Sequence, residues 1–169
     1  MALYAAVTLT ISTAALASTQ AQPFVLSAYG AAAGGEDLLA GRYPAALRQL
    51  QTRAGSTPDP TARSANDCVA FEMTQHKHAA QTACDAAVRA ATDARLEAAP
   101  SSGFAMVRAD RALAAAYCNQ AVARWLSGDQ RGARAALERA RLLAPQARFV
   151  LSNLAALQSH ALEENTHGG

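Results

Sequence analysis

Residues 114–147 read AAAYCNQAVARWLSGDQRGARAALERARLLAPQA, and the spacing of their landmarks decides the fold. Gly128 separates two alanine-rich stretches. Ala133 follows it by five residues, Leu137 by four more, and Pro145 closes the run seventeen residues after the Gly. Alanine is the best helix former, while Gly and Pro punctuate helices. The segment therefore reads as two helices joined at Gly128.

The same spacing recurs upstream. Gly41 is followed by Ala46, Leu50 and Pro58 at the same intervals. Ala80, Cys84 and Ala87 share one helix face in the middle of the chain, by their i, i+4, i+7 spacing. Ala46 to Ala80 is 34 residues, and Ala80 to Ala133 is 53, which is 34 plus an insertion of 19. Asn66, Asn119 and Asn153 each stand two residues before a small residue, and the last two are 34 apart.

A 34-residue period of helix, turn and alanine-studded second helix closed by Pro resembles the tetratricopeptide repeat. In 114–147, Tyr117, Ala121, Gly128, Ala133, Leu137, Ala140 and Pro145 occupy the places which that family fills with an aromatic, small residues, Gly, a large apolar residue and Pro. The copy at 61–94 has Gln75 for the turn Gly and Thr92 for the Pro. The copy at 27–60 has a first helix weakened by Gly30, Gly34 and Gly35. Residues 148–162 read as a capping helix, 95–113 as the insertion, and 163–169 as a disordered tail. The resemblance implies an all-α fold, a short α-solenoid of about three helix pairs plus the cap.

Composition agrees with an all-helical chain. Apolar residues make up 51% but aromatics only 5%, so alanine dominates and β-branched alternating runs are missing. Net charge is +2, and 14 of the 15 basic residues are Arg. They are spread along the chain without interleaved aromatics, so a nucleic-acid footprint is not expected.

In tetratricopeptide proteins the first helix of each pair lines a concave wall that takes a peptide, so the resemblance implies a non-catalytic protein- or peptide-binding module. The candidate binding residues are Asn66, Val69, Met73, Asn119, Val122, Trp125, Phe149 and Asn153. An amide side chain can donate and accept, and so can pair with peptide backbone of any sequence. Bridging between this chain's own helices or backbone is the competing role. The Lys and Arg partners with which that family grips a terminal carboxylate are replaced by Ala65, Val69, Cys118, Val122, Ser152 and Ala156. Trp125 is either a partner anchor or a packing residue covered by the inserted turns around Phe104. Should the groove be filled by the N-terminal segment or by those turns, the second class of function is a structural or assembly subunit, or a homo-oligomer.

Cys68 and Cys84 fall where two antiparallel helices approach, so either a disulfide or two small buried thiols fits them. Cys118 is then unpaired or competes for Cys84. His76 and His78 form an H-x-H pair without an evident third ligand, so no metal is expected. Glu72, placed alone on the inner wall, makes no acid–base pair, and no phosphate loop, dinucleotide fingerprint or nucleophile elbow occurs. No enzyme, cofactor or small-molecule substrate is expected.

Residues 2–17 carry no charge and end in Ala15-Leu16-Ala17, with Thr19-Gln20-Ala21 a second small-x-small pattern. They read as a signal peptide (1–21) cleaved after Ala17 or Ala21, placing the chain in the periplasm or outside the cell. No stable membrane span then remains. No basic residue precedes Arg42, as a misplaced start codon or an ordinary buried helix would explain, and an uncleaved N-terminal anchor is the alternative.

Overall fold

The computed structural model describes residues 23–52, 59–98 and 102–167, with side chains to Ala161. It is all-helical, with seven helices and no strand among the described residues. These are α1 (Gly35–Leu39), α2 (Tyr43–Thr52), α3 (Pro60–Met73), α4 (Lys77–Glu97), α5 (Gly103–Leu126), α6 (Gln130–Leu143) and α7 (Arg148–His167).

The helix starts follow local chemistry. Asp59 accepts from the Thr61 and Ala62 amides, with Pro60 at the first helical position, where its missing N–H costs nothing. Ser102 caps α5 through Ala105 N, and Asp129 caps α6 through Gly132 N at 2.8 Å. The turns between α1 and α2, α3 and α4, and α5 and α6 contain Gly41 (φ 72°), Gln75 (φ 62°) and Gly128 (φ 92°). All three adopt the left-handed backbone conformation, and at Gln75 a side chain carries its steric cost.

Consecutive helices from α2 onward pack on one another, and α3, α5 and α7 also touch in a row. Ala46, Ala80 and Ala133 are each 0% exposed, so the alanines picked out by spacing are the points where helices come closest. Leu50 and Leu137, four residues on, fill the neighbouring volume. Burying each adds about 2 kcal/mol.

Two expectations need correction. The first helix expected at the start of 27–60 is absent. Pro23–Tyr29 is extended, Gly30–Gly34 turns, and only the five-residue α1 follows. Glycine is required at position 35, because a Cβ there would stand 2.0 Å from Tyr29 O and 2.8 Å from Gly30 Cα.

The tail expected to be disordered from 163 is helical to His167, because nothing between Arg148 and Gly168 breaks the helix. The insertion supplies the extra turns expected around Phe104: α4 runs on to Glu97, 21 residues in all, and α5 starts at Gly103 behind its Ser102 cap and reaches 24. The lengthened ends are joined by the Arg95–Asp110 ion pair. Ala91, Ala94, Ala105, Ala109 and Ala112 line a cavity of about 500 Å³ beside them, together with Tyr29 and Thr61. The signal peptide and Pro58 lie outside the described residues.

Candidate functional site: an asparagine row that holds an extended segment

Asn66 on α3, Asn119 on α5 and Asn153 on α7 are each 0% exposed, and all three face one stretch of backbone. Asn153 Oδ1 accepts from Val25 N at 2.7 Å, and its Nδ2 donates to Val25 O at 2.9 Å. Asn119 makes the same pair with Ser27, at 2.8 Å in both directions. Asn66 repeats it with Tyr29 at 2.8 and 3.0 Å, and its second amide hydrogen reaches Ala33 O at 3.1 Å.

The periodicity has a simple origin. In extended backbone the N–H and C=O of alternate residues point to the same side, and two residues advance about 7 Å. Val25, Ser27 and Tyr29 therefore present one polar edge, and three helices in a row present one amide each. Each Asn acts as a two-bond segment of sheet edge built from side chains. We call residues 23–29 the strap.

The strap's side chains fill the wall around that edge. Phe24 stacks on His160 at 5.1 Å between ring centres and lies 6.0 Å from Trp125, which is itself 5.9 Å from His160. Leu26 and Ala28 pack on the cluster of Leu38, Ala46, Leu50, Val69 and Ala70. Tyr29 packs on the cluster of Ala65, Ala87, Ala91, Leu113 and Ala116. Burial raises its phenol pKa, with the Asp59 carboxylate adding to the effect.

Of the residues expected to line the wall, the three Asn meet the strap backbone, Val69 lies in the cluster under Leu26 and Ala28, and Trp125 meets Phe24. Val122 is buried at 2% exposure. Phe149 packs against the cluster around Val150 and carries the Arg111 guanidinium 5.7 Å from its ring centre. Met73 is 41% exposed and belongs to none of the buried clusters. Glu72 is buried at the end of α3, and desolvation raises its pKa against the opposing pull of Lys77.

The expected cover over Trp125 is different from what is found. The inserted turns leave Phe104 78% exposed, and Phe24 and His160 cover the indole instead. Sequence reasoning missed both partners. The strap's signal was Phe-Val-Leu-Ser-Ala-Tyr between Pro23 and Gly30, a short aromatic and β-branched run bounded by breakers. His160 had no signal, since its partner lies 136 residues earlier.

Cys68 and Cys84 are joined in a disulfide between α3 and α4, with Cα atoms 4.7 Å apart. Cys118 is free and buried beside Asn153. Desolvation pushes its thiol pKa up to about 12, although the Asn153 hydrogen bond pulls the other way. No cluster of three metal-ligating side chains occurs among the described residues. His76 instead accepts or donates to the Thr74 hydroxyl at 2.9 Å.

Comparison with protein-family models, with curated proteins and with solved structures finds no significant match. The site itself must carry the functional argument. It defines an all-helical protein with a groove for extended backbone, occupied by the chain's own N-terminal segment.

Proposed function

We propose that this chain is a non-catalytic interaction module of the tetratricopeptide type, a short α-solenoid working in the bacterial cell envelope with a self-filled concave groove. Its part is that of a structural or assembly subunit. The observation that carries this reading is the pairing of Asn66, Asn119 and Asn153 with Tyr29, Ser27 and Val25. The chemistry by which such a wall would take a foreign peptide is already engaged in cis. Because the strap is tethered six residues from α1, its local concentration at the groove is on the order of millimolar or higher, and a free peptide must exceed that to compete.

Other features support the parts of this reading. A disulfide fits an oxidising compartment, and so supports export. Cleavage after Ala21 would leave Gln22 first, two residues before Phe24. A buried thiol with a raised pKa is a poor nucleophile, which argues for structure rather than catalysis at Cys118.

Binding of a partner's segment is the second reading, favoured by one fact. The Asn row meets the strap through its backbone and through none of its side chains, so a different extended sequence could satisfy it. The test is complementation: a chain starting at Gly30 is titrated with the free heptapeptide of residues 23–29, following Trp125 fluorescence. Saturable binding that Asn119→Ala abolishes is expected. A shortened chain that ignores the peptide would overturn the groove reading.

A further inference from the structure

We propose that the groove also accepts the Phe24–Tyr29 segment of a second copy of this chain, producing a dimer with reciprocally exchanged straps when the Gly30–Gly34 turn opens. This rests on the groove being a receptor for extended backbone.

The first argument concerns the empty groove. All three Asn are 0% exposed, and withdrawing the strap leaves six hydrogen bonds unmade together with an apolar wall under Phe24, Leu26 and Ala28. Buried amides without partners are costly, so an open monomer is a poor state. A strap from another copy restores every one of these contacts because it has the same sequence. Exchange then costs only the opened turn and the entropy of association.

The second argument concerns the turn. The strap's hydrogen bonds reach α3, α5 and α7, at separations of 37, 92 and 128 residues, and its chain connection to the body is Gly30–Gly34 alone. That turn is held by Ala32 N donating to Tyr29 O at 3.1 Å and Gly35 N donating to Ala32 O at 2.9 Å. Gly34 takes a left-handed conformation (φ 71°), and Gly35 sits where a Cβ would meet the backbone of Tyr29 and Gly30. Closing the turn therefore depends on glycine at two places. Extended, these five residues span up to roughly 16 Å, enough to carry the strap away from its own groove.

Gly34→Val is the direct test, since a β-branched residue resists the left-handed conformation (φ 71°) that the closed turn needs and the opened turn does not. Mass is measured by light scattering behind size exclusion, with and without excess strap heptapeptide. The expected result is a dimer of twice the chain mass, converted to monomer by the peptide, while the wild type is monomeric at micromolar concentration. Removing Ala31–Ala33 by deletion should give the same dimer by shortening the turn. Monomers of both variants that still bind the heptapeptide would overturn exchange and leave the groove reading intact. Variants that neither dimerise nor take the peptide would overturn both.

Discussion

The Asn119 side chain and the Ser27 backbone close a two-bond ring across 92 residues of sequence, each bond 2.8 Å long. It is the middle of three such rings, and it ties the N-terminal segment to the C-terminal half of α5, the longest helix among the described residues. Asn119→Ala leaves the Ser27 N–H and C=O without partners in a part-buried site. The expected loss is roughly 2–4 kcal/mol of unfolding free energy, measured by urea denaturation. A loss below about 0.5 kcal/mol would mean the ring does not hold the strap.

Gln75 carries the left-handed conformation that Gly41 and Gly128 carry elsewhere. Gln75→Gly should stabilise the fold by about 1 kcal/mol, and Gly128→Ala should cost a similar amount. A Cβ at Gly128 meets nothing within 4 Å, so its cost is purely conformational. Opposite shifts in thermal midpoint for the two variants are the expected readout.

The Cys68–Cys84 bond closes a loop across a sequence separation of 16. Replacing both with Ser should cost about 3 kcal/mol by the loop-entropy argument. Alkylation under denaturing conditions without reductant should modify one thiol, Cys118. Alkylation of the native protein should modify none until it unfolds, because Cys118 is buried and its pKa lies at about 12.

Glu72 and Asp67 both have raised pKa values in the folded state, chiefly through desolvation. The folded protein therefore binds more protons than the unfolded chain just above the ordinary carboxylate range. By linkage the contribution of these two groups to stability falls as pH rises through that window, and grows as pH is lowered through it. Glu72→Gln should flatten this slope and raise the thermal midpoint at neutral pH. An unchanged slope would mean the Glu72 carboxylate is effectively solvated.

Much of the helical framework was legible because it rests on local chemistry. Ala46, Ala80 and Ala133 announce close approach by their spacing, and Gly41 and Gly128 announce turns between helices. The Asn row was legible for the same reason, one amide per period on successive first helices. Its occupant was harder to read. Gly30, Gly34 and Gly35 looked like damage to a helix, whereas they allow the chain to turn out of an extended segment. Which apolar run lies against which wall depends on contacts made over 37 to 128 residues, and helix periodicity carries no information about those. Phe24 against Trp125 and His160 is such a contact. So is the exposed Phe104, since the spacing revealed added turns but not the direction they face.

Amide hydrogen exchange along the strap tests the occupied groove most directly. Val25, Ser27 and Tyr29 donate to buried Asn side chains, whereas Leu26 and Ala28 make no backbone hydrogen bond of this kind. The expected pattern is slow exchange at 25, 27 and 29 alternating with fast exchange at 26 and 28, with the protection at 27 lost in Asn119→Ala. Uniformly fast exchange from 24 to 29 in the wild-type protein would contradict a strap held in the groove.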